Sequence, residues 1–381
     1  MTEFASRARE ALAARGLSMR GAARALCYDP AYLSRVLNGK QCPSPQLAGA
    51  LDALVGAEGA LAGLLPPGAA LRVDTAPENT DSDLGHLRAT VAYLLDHDNR
   101  YGGDAIAPAA VRVWKTAQRK LDTGSVPDRL KCEYLTAVAE LAQVAGWLLF
   151  DAGQQDAARS AFLEARILAG HAGDRSREWF VLDLLAMQGV EHGRTGESLR
   201  IADELLSQLR LPPRVALMAR VRKARALADA GHRQGALNEL KAARAALEDS
   251  ISPCDPSWTW WINELEIAGH EGEALRALGD DGAAVPQLQR AHDLSVEFRP
   301  SGRGVLYYKI SLLSAYTAIE DWPACEAMLH SLPAVLDVVS SGRNHRRLRG
   351  ALQGVTRAPH APHWLTDLAR DVASTPQLSV A

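Results

Sequence analysis

A frame of two helical segments joined at a glycine recurs along most of this chain. In "AGWLLFDAGQQDAARSAFLEA" two apolar-periodic segments flank Gly153, with the small Ala158 where the helices would cross and the large Phe162 four positions later. Four further turns share this frame and follow at spacings of 40, 38, 48 and 41 residues: Gly193, Gly231, Gly279 and Glu320. A repeat of paired helices at this period predicts a stack of helical hairpins, an all-α solenoid.

The hairpins resemble tetratricopeptide (TPR) repeats with helices longer than the usual period of about 34 residues allows. The resemblance implies a right-handed superhelix whose concave wall could receive a peptide, a small molecule or a protein segment. Candidate ligand-binding residues come from corresponding positions of the first helix in each repeat, together with an asparagine beside a tryptophan cluster: Glu140, Gln143, Asp183, Arg225, Glu266, Tyr307 and Asn263. For Asn263, a solvent-facing position on a helix is the alternative.

Short helices with clear start and stop signals precede the repeats. Ser18 can cap one helix, and the next begins with Asp29 and Pro30, ends at Gly39 and carries its apolar residues on one face. Similar signals elsewhere predict five helices within residues 1–65. Two helices joined by a tight turn, the second one short, have the dimensions that a DNA major groove admits.

Residues 17–56 resemble the helix-turn-helix of the XRE family of lambda-repressor-like transcription regulators. The matching residues are Leu17, Ser18, Ala23, Leu26, Tyr32, Leu33, Ser34, Gly39, Pro43 and Ser44. Three positions depart from the family pattern, because Met19 replaces a phosphate-contacting Gln, Gly21 replaces the Glu of a capping box, and Cys27 replaces the turn glycine. These departures weaken the unit and leave the register of its phosphate contacts open.

The resemblance implies which residues meet DNA. It places Pro30, Ala31, Ser34 and Arg35 on the groove-facing side, with Arg35 reading a guanine through two hydrogen bonds. The predicted phosphate contacts, which fix register without reading sequence, are Arg20, Tyr32, Asn38 and Lys40. The alternatives are a solvated Arg35 and a Tyr32 at the edge of the apolar core. Residues 1–65 carry a net charge of only +2, so we expect a homodimer that places two such units on one double-stranded operator.

The likeness extends beyond the DNA-binding unit. "YDPAYLSRVLNGKQCPSPQLA", "LDHDNRYGGDAIAPAAV" and "LAQVAGWLLFDAGQQDAARSAFLEA", in this order, are similar to actinobacterial XRE-type regulators with TPR-like C-terminal domains. Related pheromone-responsive regulators receive a short peptide in the groove. We therefore predict a DNA-binding domain at 1–65, a linker at 66–83, a TPR-like sensing and dimerisation domain at 84–370 and a disordered tail at 371–381.

Three other motifs admit two interpretations each. "DNRYGG" (98–103) is typical of a helix end and less so of a ligand site. The tryptophans of "SWTWWINELE" favour packing between repeats over a ligand platform. "GRNHRRLRG" (342–350) is typical of a solvated basic helix face, and the alternative is a second DNA or dimer contact.

Composition excludes several classes of protein. The 381 residues are 47% hydrophobic with a formal net charge of -3, and they contain no signal peptide and no unbroken apolar span, which predicts a cytosolic protein. Five scattered cysteines predict reduced thiols and no metal site. Without a nucleotide-binding loop, a nucleophile elbow or a zinc-protease motif, we expect neither an enzyme nor a cofactor. Two hypotheses remain: a DNA-binding transcription regulator, or a TPR scaffold whose helix-turn-helix has lost most of its affinity for DNA.

Overall fold

The computed structural model describes residues 3–26, 30–40, 43, 45–57, 59–61, 64 and 80–379. Within these ranges all regular structure is helical and no strand occurs. The first four helices form a unit that we call the head: α1 (Glu3–Ala14), α2 (Met19–Ala25), α3 (Pro30–Leu37) and α4 (Pro45–Val55). The remaining helices form the body.

The body helices pair into successive hairpins. They are α5 (Thr80–Tyr101), α6 (Ala107–Asp122), α7 (Lys131–Asp151), α8 (Gln155–Ala172), α9 (Arg175–Glu191), α10 (Thr195–Leu206), α11 (Pro213–Asp229), α12 (Arg233–Ala246), α13 (Glu264–Ala277), α14 (Asp281–Phe298), α15 (Arg303–Ala318), α16 (Trp322–Ser331), α17 (Pro333–Leu336), α18 (Gly342–Arg357), α19 (His363–Ala373) and α20 (Pro376–Ser379). No helix of the described residues is both long and apolar enough to cross a bilayer.

The head has its own apolar core. Phe4 and Leu12 of α1 pack with Leu33 and Val36 of α3, and all four side chains are at most 3% exposed. The predicted cap of α2 is confirmed, because the Ser18 hydroxyl accepts a hydrogen bond from Gly21 N at 3.0 Å. A small core of this kind fixes the angle between α2 and α3.

The sequence predicts the end of α3 and a fifth helix in the head, and only the first prediction agrees with the structure. Gly39 ends α3 with φ +67°, as its position predicts, and Lys40 N donates to Arg35 O at 2.8 Å. Among the described residues of the predicted fifth helix, 59–61 form a turn rather than an α-helix, and Leu64 N donates to Leu61 O at 3.1 Å. The Asp52 carboxylate accepts hydrogen bonds from Gly59 N and Leu61 N at 2.7 and 2.6 Å and stabilises that turn.

The body confirms the helical-hairpin frame. The four predicted glycine turns after Gly146 all have left-handed φ between +67° and +80°, and Glu320 takes the same conformation at +60° without being a glycine. Where the helices cross, Ala158, Ala236 and Ala284 are fully buried. A Cβ on Gly146 would lie 2.6 Å from the Phe162 ring, so only glycine lets α7 approach α8 this closely.

Both predicted boundaries of the body need correction. Helix α5 begins at Thr80, inside the predicted linker of 66–83, whose residues 66–79 lie outside the described ranges. The tail predicted to be disordered is helical up to Ser379, because Leu378 is 4% exposed and packs into the apolar core of the last hairpins. Arg349 Nη1 also donates to Leu378 O at 3.2 Å.

The body closes on itself. Ser340 N donates to Tyr101 O at 2.7 Å, Gly342 N donates to the Asp104 carboxylate at 2.8 Å, and the Ser340 hydroxyl donates to the same carboxylate at 2.9 Å. Gly102 has φ +86°, and a Cβ there would overlap Ser340 O. These contacts join the first hairpin to the last one, so the concave side of the body becomes an interior rather than an open groove.

Candidate DNA-binding surface and the polar interior

The α3 helix presents a polar side away from the core of the head. Its apolar residues Leu33, Val36 and Leu37 point inward, as the sequence predicts. Of the predicted DNA contacts, Arg20, Asn38 and Lys40 are exposed, whereas Ser34 and Arg35 are half-buried. Asn38 Nδ2 donates to the Ser34 hydroxyl at 3.3 Å, which links two of these side chains along the helix.

Part of the predicted surface lies outside the described residues. Pro30, Ala31 and Tyr32 belong to the backbone of α3, but their side chains are not among the described ones, and Asp29 lies outside the described ranges altogether. The geometry therefore concerns Arg20, Ser34, Arg35, Asn38 and Lys40. Arg35 lies near enough to the body for its charge to act on the Asp255 carboxyl. Burial raises the pKa of Asp255, and the Ser252 N–H and the charges of Arg214 and Arg35 oppose that rise.

Several predicted ligand residues are brought together inside the body, where each has a protein partner. Arg177 pairs with Glu140 at 2.9 Å and donates to Gln143 Oε1 at 2.7 Å. Asp183 forms two hydrogen bonds of 2.8 Å with Arg222, and the two side chains are 2% and 4% exposed. Two hydrogen bonds between a carboxylate and a guanidinium fix the orientation of both groups.

Arg225 and Glu266 converge on a histidine that the sequence did not indicate. Arg225 Nη1 lies 3.2 Å from His270 Nδ1, and His270 Nε2 lies 3.4 Å from the Glu266 carboxylate. Burial lowers the pKa of His270, and the charges of Arg222 and Arg225 lower it further, while Glu266 acts in the opposite direction. The imidazole is therefore biased towards its neutral form among these charges.

The last predicted wall residue, Tyr307, lies beneath two arginines of α18. The guanidinium carbons of Arg343 and Arg347 are 5.0 and 4.3 Å from its ring centroid. Arg343 pairs with Glu191 across the interior, and Arg347 donates to Glu273 at 2.7 Å. Both belong to the basic run at 342–350, which the sequence suggested as a solvated face. Arg343 is instead 8% exposed, because α18 turns this side towards the interior.

We call this set of charged and aromatic side chains the polar interior: Asp183, Glu191, Arg222, Arg225, Glu266, His270, Glu273, Tyr307, Arg343 and Arg347. Within it Asp183 pairs with Arg222, Glu191 with Arg343, and Glu273 with Arg347. A small recess of about 20 Å³, with room for about one water molecule, reaches into it and is lined by Met187, Val190, Glu191, Arg222, Arg225, His270, Tyr307 and Arg343. Asn263 does not line this recess. Its side chain accepts from Glu266 N at 3.2 Å and caps α13.

Charge pairing around the recess is uneven. Arg222 and Arg343 each have a close carboxylate, but the carboxylate nearest to Arg225 is that of Glu273 at 4.0 Å, which Arg347 contacts more closely. Arg225 Nε is buried and has no hydrogen-bond partner among the described residues. Arg225 is therefore the guanidinium of the recess with spare capacity to bind an acidic group.

The "DNRYGG" motif lies at the seam where the body closes. Asp98 accepts from Trp147 Nε1 at 2.8 Å and pairs with Arg303 at 3.3 Å. Gly103 N donates to the buried Asp151 carboxylate at 2.9 Å. Burial raises the pKa of Asp151 to about 6, against the opposing charge of Arg303, and the charge of Asp98 adds to the rise. These contacts agree with a structural role for the motif, although the local sequence did not indicate closure.

The tryptophan cluster divides between two surfaces. Trp258 stacks on Phe180 with ring centroids 4.4 Å apart, and Trp261 lies 6.0 Å from the same ring, so these two pack between repeats as the sequence favoured. Trp260, which lies between them in sequence, packs instead against the apolar core of the head, as does Phe298.

Comparison with known proteins concerns the head. No curated protein and no solved structure matches the chain. Residues 3–65 match a family model described as "Helix-turn-helix domain", which covers α1 to α4 and the α2–α3 pair. The head is therefore similar to helix-turn-helix domains, as the sequence of residues 17–56 predicts.

Proposed function

We propose that this protein is a sequence-specific, DNA-binding transcription regulator of the XRE type. The observation that carries the proposal is the packing of α3, which buries Leu33, Val36 and Leu37 and leaves Ser34, Arg35 and Asn38 on other sides of the helix. In such a helix-turn-helix the second helix enters the major groove. Arg35 then reads a guanine, and Arg20, Asn38 and Lys40 contact phosphates. Pro30, Ala31 and Tyr32 complete the proposed surface on the basis of sequence.

Two copies of the chain act together in this proposal. A head with a net charge of +2 neutralises few phosphates, and affinity for DNA rises with the number of phosphates contacted. Two heads on neighbouring half-sites, about one helical turn apart, supply the missing contacts. Dimerisation is assigned to the TPR-like body, whose hairpins present the larger surface.

The body senses an effector in this proposal. Uneven charge pairing leaves Arg225 available, and Tyr307, His270 and the apolar side chains of Met187 and Val190 border the same recess. An effector with an acidic group and a short apolar part, such as a peptide end or a small carboxylate, matches this chemistry, and its entry requires the recess to widen beyond the volume of about one water molecule. Glu140, Gln143, Asp183 and Glu266 hold the surrounding framework through their ion pairs and hydrogen bonds, and Asn263 positions α13.

Binding to fragments of the promoter next to its own gene tests the DNA-binding proposal. We compare the full-length protein with Arg35→Ala and with the control Arg7→Ala, which removes the same charge from an exposed position on α1. Loss of a guanine contact weakens binding to the specific fragment by about 1–3 kcal/mol, or roughly 5- to 150-fold, and lowers the ratio of specific to non-specific affinity. The control leaves that ratio unchanged. If no variant and no wild-type protein binds DNA specifically at low salt, the scaffold hypothesis replaces the regulator.

A further inference from the structure

The connection between α12 and α13 departs from the repeat frame of the body. It spans residues 247–263, whereas α8 and α9 are joined by residues 173–174, α10 and α11 by 207–212, and α14 and α15 by 299–302. This connection also accounts for the longest spacing between turns, 48 residues between Gly231 and Gly279. Stacking of hairpins needs no such extension, so its residues are available for another task. We call residues 247–263 the insertion.

The insertion is held rigidly by the body. Arg214, which is 2% exposed, donates to Ile262 O at 2.6 Å. Trp258 Nε1 donates to Ser176 O at 3.1 Å, and Thr259 closes the start of a 3-10 helix, Ser257–Trp261, by donating to Pro256 O at 2.8 Å. Ser252 N donates to the Asp255 carboxylate at 2.7 Å. A preformed platform of this kind loses little conformational freedom when it binds a partner.

Two features of the platform point towards the head. Trp260 of the 3-10 helix packs against the apolar core of the head, as does Phe298, the last residue of α14. Asp255 Oδ1 is buried and has no hydrogen-bond partner among the described residues. A buried carboxylate oxygen without a partner is unfavourable unless a positive charge lies near it. The charge of the buried Arg214 acts on this carboxyl, and the charge of Arg35 of α3 acts on it from the head.

We propose that the insertion is a docking surface for the helix-turn-helix head of this chain, in which Trp260 and Phe298 pack against the apolar core of the head and Asp255 lies on the side of Arg35. This inference rests on the proposed function, in which Arg35 reads DNA. While the head is docked, Arg35 is half-buried on the side of Asp255 and cannot reach into a major groove, and a duplex approaching the docked head would bring its phosphates towards a carboxylate. Docked and DNA-bound heads therefore exclude each other.

Docking lowers the apparent affinity for DNA. The observed dissociation constant equals the intrinsic one divided by the fraction of heads that are free. If about nine-tenths of the heads are docked, releasing them tightens DNA binding by about tenfold. An effector that binds the body and disturbs the insertion would act in the same direction, since α13 begins directly after the insertion and carries His270 into the polar interior.

Amide hydrogen exchange of the full-length protein without DNA tests docking directly. The variants are Trp260→Ala and Asp255→Asn. The matched controls are Trp364→Ala, which removes a 48% exposed tryptophan of α19, and Asp249→Asn, which removes an exposed carboxylate from the same insertion. We expect faster exchange in peptides covering α1, α3 and α4 in both variants, unchanged exchange in α7 and α8, and no change in either control. Unchanged exchange of the head in Trp260→Ala and in Asp255→Asn would overturn the proposal.

The DNA affinity of the wild type and of the same four variants is then measured. Binding that is about tenfold tighter than wild type in Trp260→Ala and Asp255→Asn, but not in the controls, supports docking that competes with DNA. Affinity that is equal in all of these proteins, despite faster exchange of the head, refutes the competition. If exchange responds as expected and none of the proteins binds DNA specifically, docking stands and the proposed regulator function fails, so the two failures are distinguishable.

Discussion

The pair formed by Asp183 and Arg222 gives the sharpest test of what the polar interior does. The Asp183→Asn substitution keeps the size of the side chain but removes its charge, which leaves the 4% exposed guanidinium of Arg222 without its bidentate carboxylate. Breaking a buried ion pair by changing one partner costs about 3–5 kcal/mol. Glu266 and Glu191 also act on Arg222, so we expect about 3 kcal/mol, the lower end of that range.

The double variant separates charge from packing. Replacing both members of the pair, Asp183→Leu with Arg222→Met, leaves no uncompensated charge, and such replacements are often neutral. We therefore expect the double variant to be more stable than Asp183→Asn. Asp367→Asn serves as the control because its partner Arg370 and Asp367 itself are 62% and 69% exposed, and exposed pairs contribute about 0.2–1 kcal/mol.

Urea unfolding followed by far-ultraviolet circular dichroism gives the free energies of unfolding. We expect the free energy of unfolding to be highest for wild type and Asp367→Asn, lower for the double variant and lowest for Asp183→Asn. If Asp183→Asn is as stable as Asp367→Asn, the pair does not hold the body together. The charged interior would then have to be explained by ligand binding alone.

Two further predictions concern the seam of the body. Gly102→Ala should lower the free energy of unfolding by about 3 kcal/mol or more, because it combines left-handed strain of about 1–2 kcal/mol with an overlap at Ser340 O. Gly124 has φ +66° and open space around it, so Gly124→Ala should show the strain alone. Thermal unfolding measures both losses. Equal losses would contradict the closed seam. Asp151 has a folded pKa of about 6, above its unfolded value near 3.9, so its protonated form stabilises the fold below about pH 4 and this contribution is lost as the pH rises through 6. The stability of wild type relative to Asp151→Asn should therefore fall over that interval, and a constant difference would refute the assignment.

Local features of the body could be predicted because each depends on neighbouring residues. A glycine that ends a helix predicts a left-handed turn, and the spacing of the repeats predicted the turn at Glu320, where no glycine is present. Small residues followed four positions later by large ones identified the helix crossings, such as Ala158 and Phe162. These signals all lie within one hairpin of about 40 residues.

Closure of the body has no such local signal. The contact between Asp104 and Gly342 joins residues 238 positions apart, and whether it forms depends on the pitch of the superhelix, which small differences at every crossing determine together. The partners of Asp183 and Tyr307, Arg222 and Arg343, lie on the next hairpin along the chain, but the pair of Arg343 with Glu191 joins residues 152 positions apart and follows only from closure. The ordered tail was missed for a related reason, since the burial of Leu378 depends on α18 lying beside it and not on the pattern of residues 371–381.

The seam between Tyr101 and Ser340 also limits how this protein can change in length. An open array of repeats can gain or lose a unit at either end, because each unit depends mainly on its neighbours. Here the terminal hairpins are neighbours in space, so deleting or duplicating a hairpin would displace one side of the seam from the other. We expect length variation among proteins built on this plan to be confined to the connections between hairpins, and the number of hairpins to stay constant.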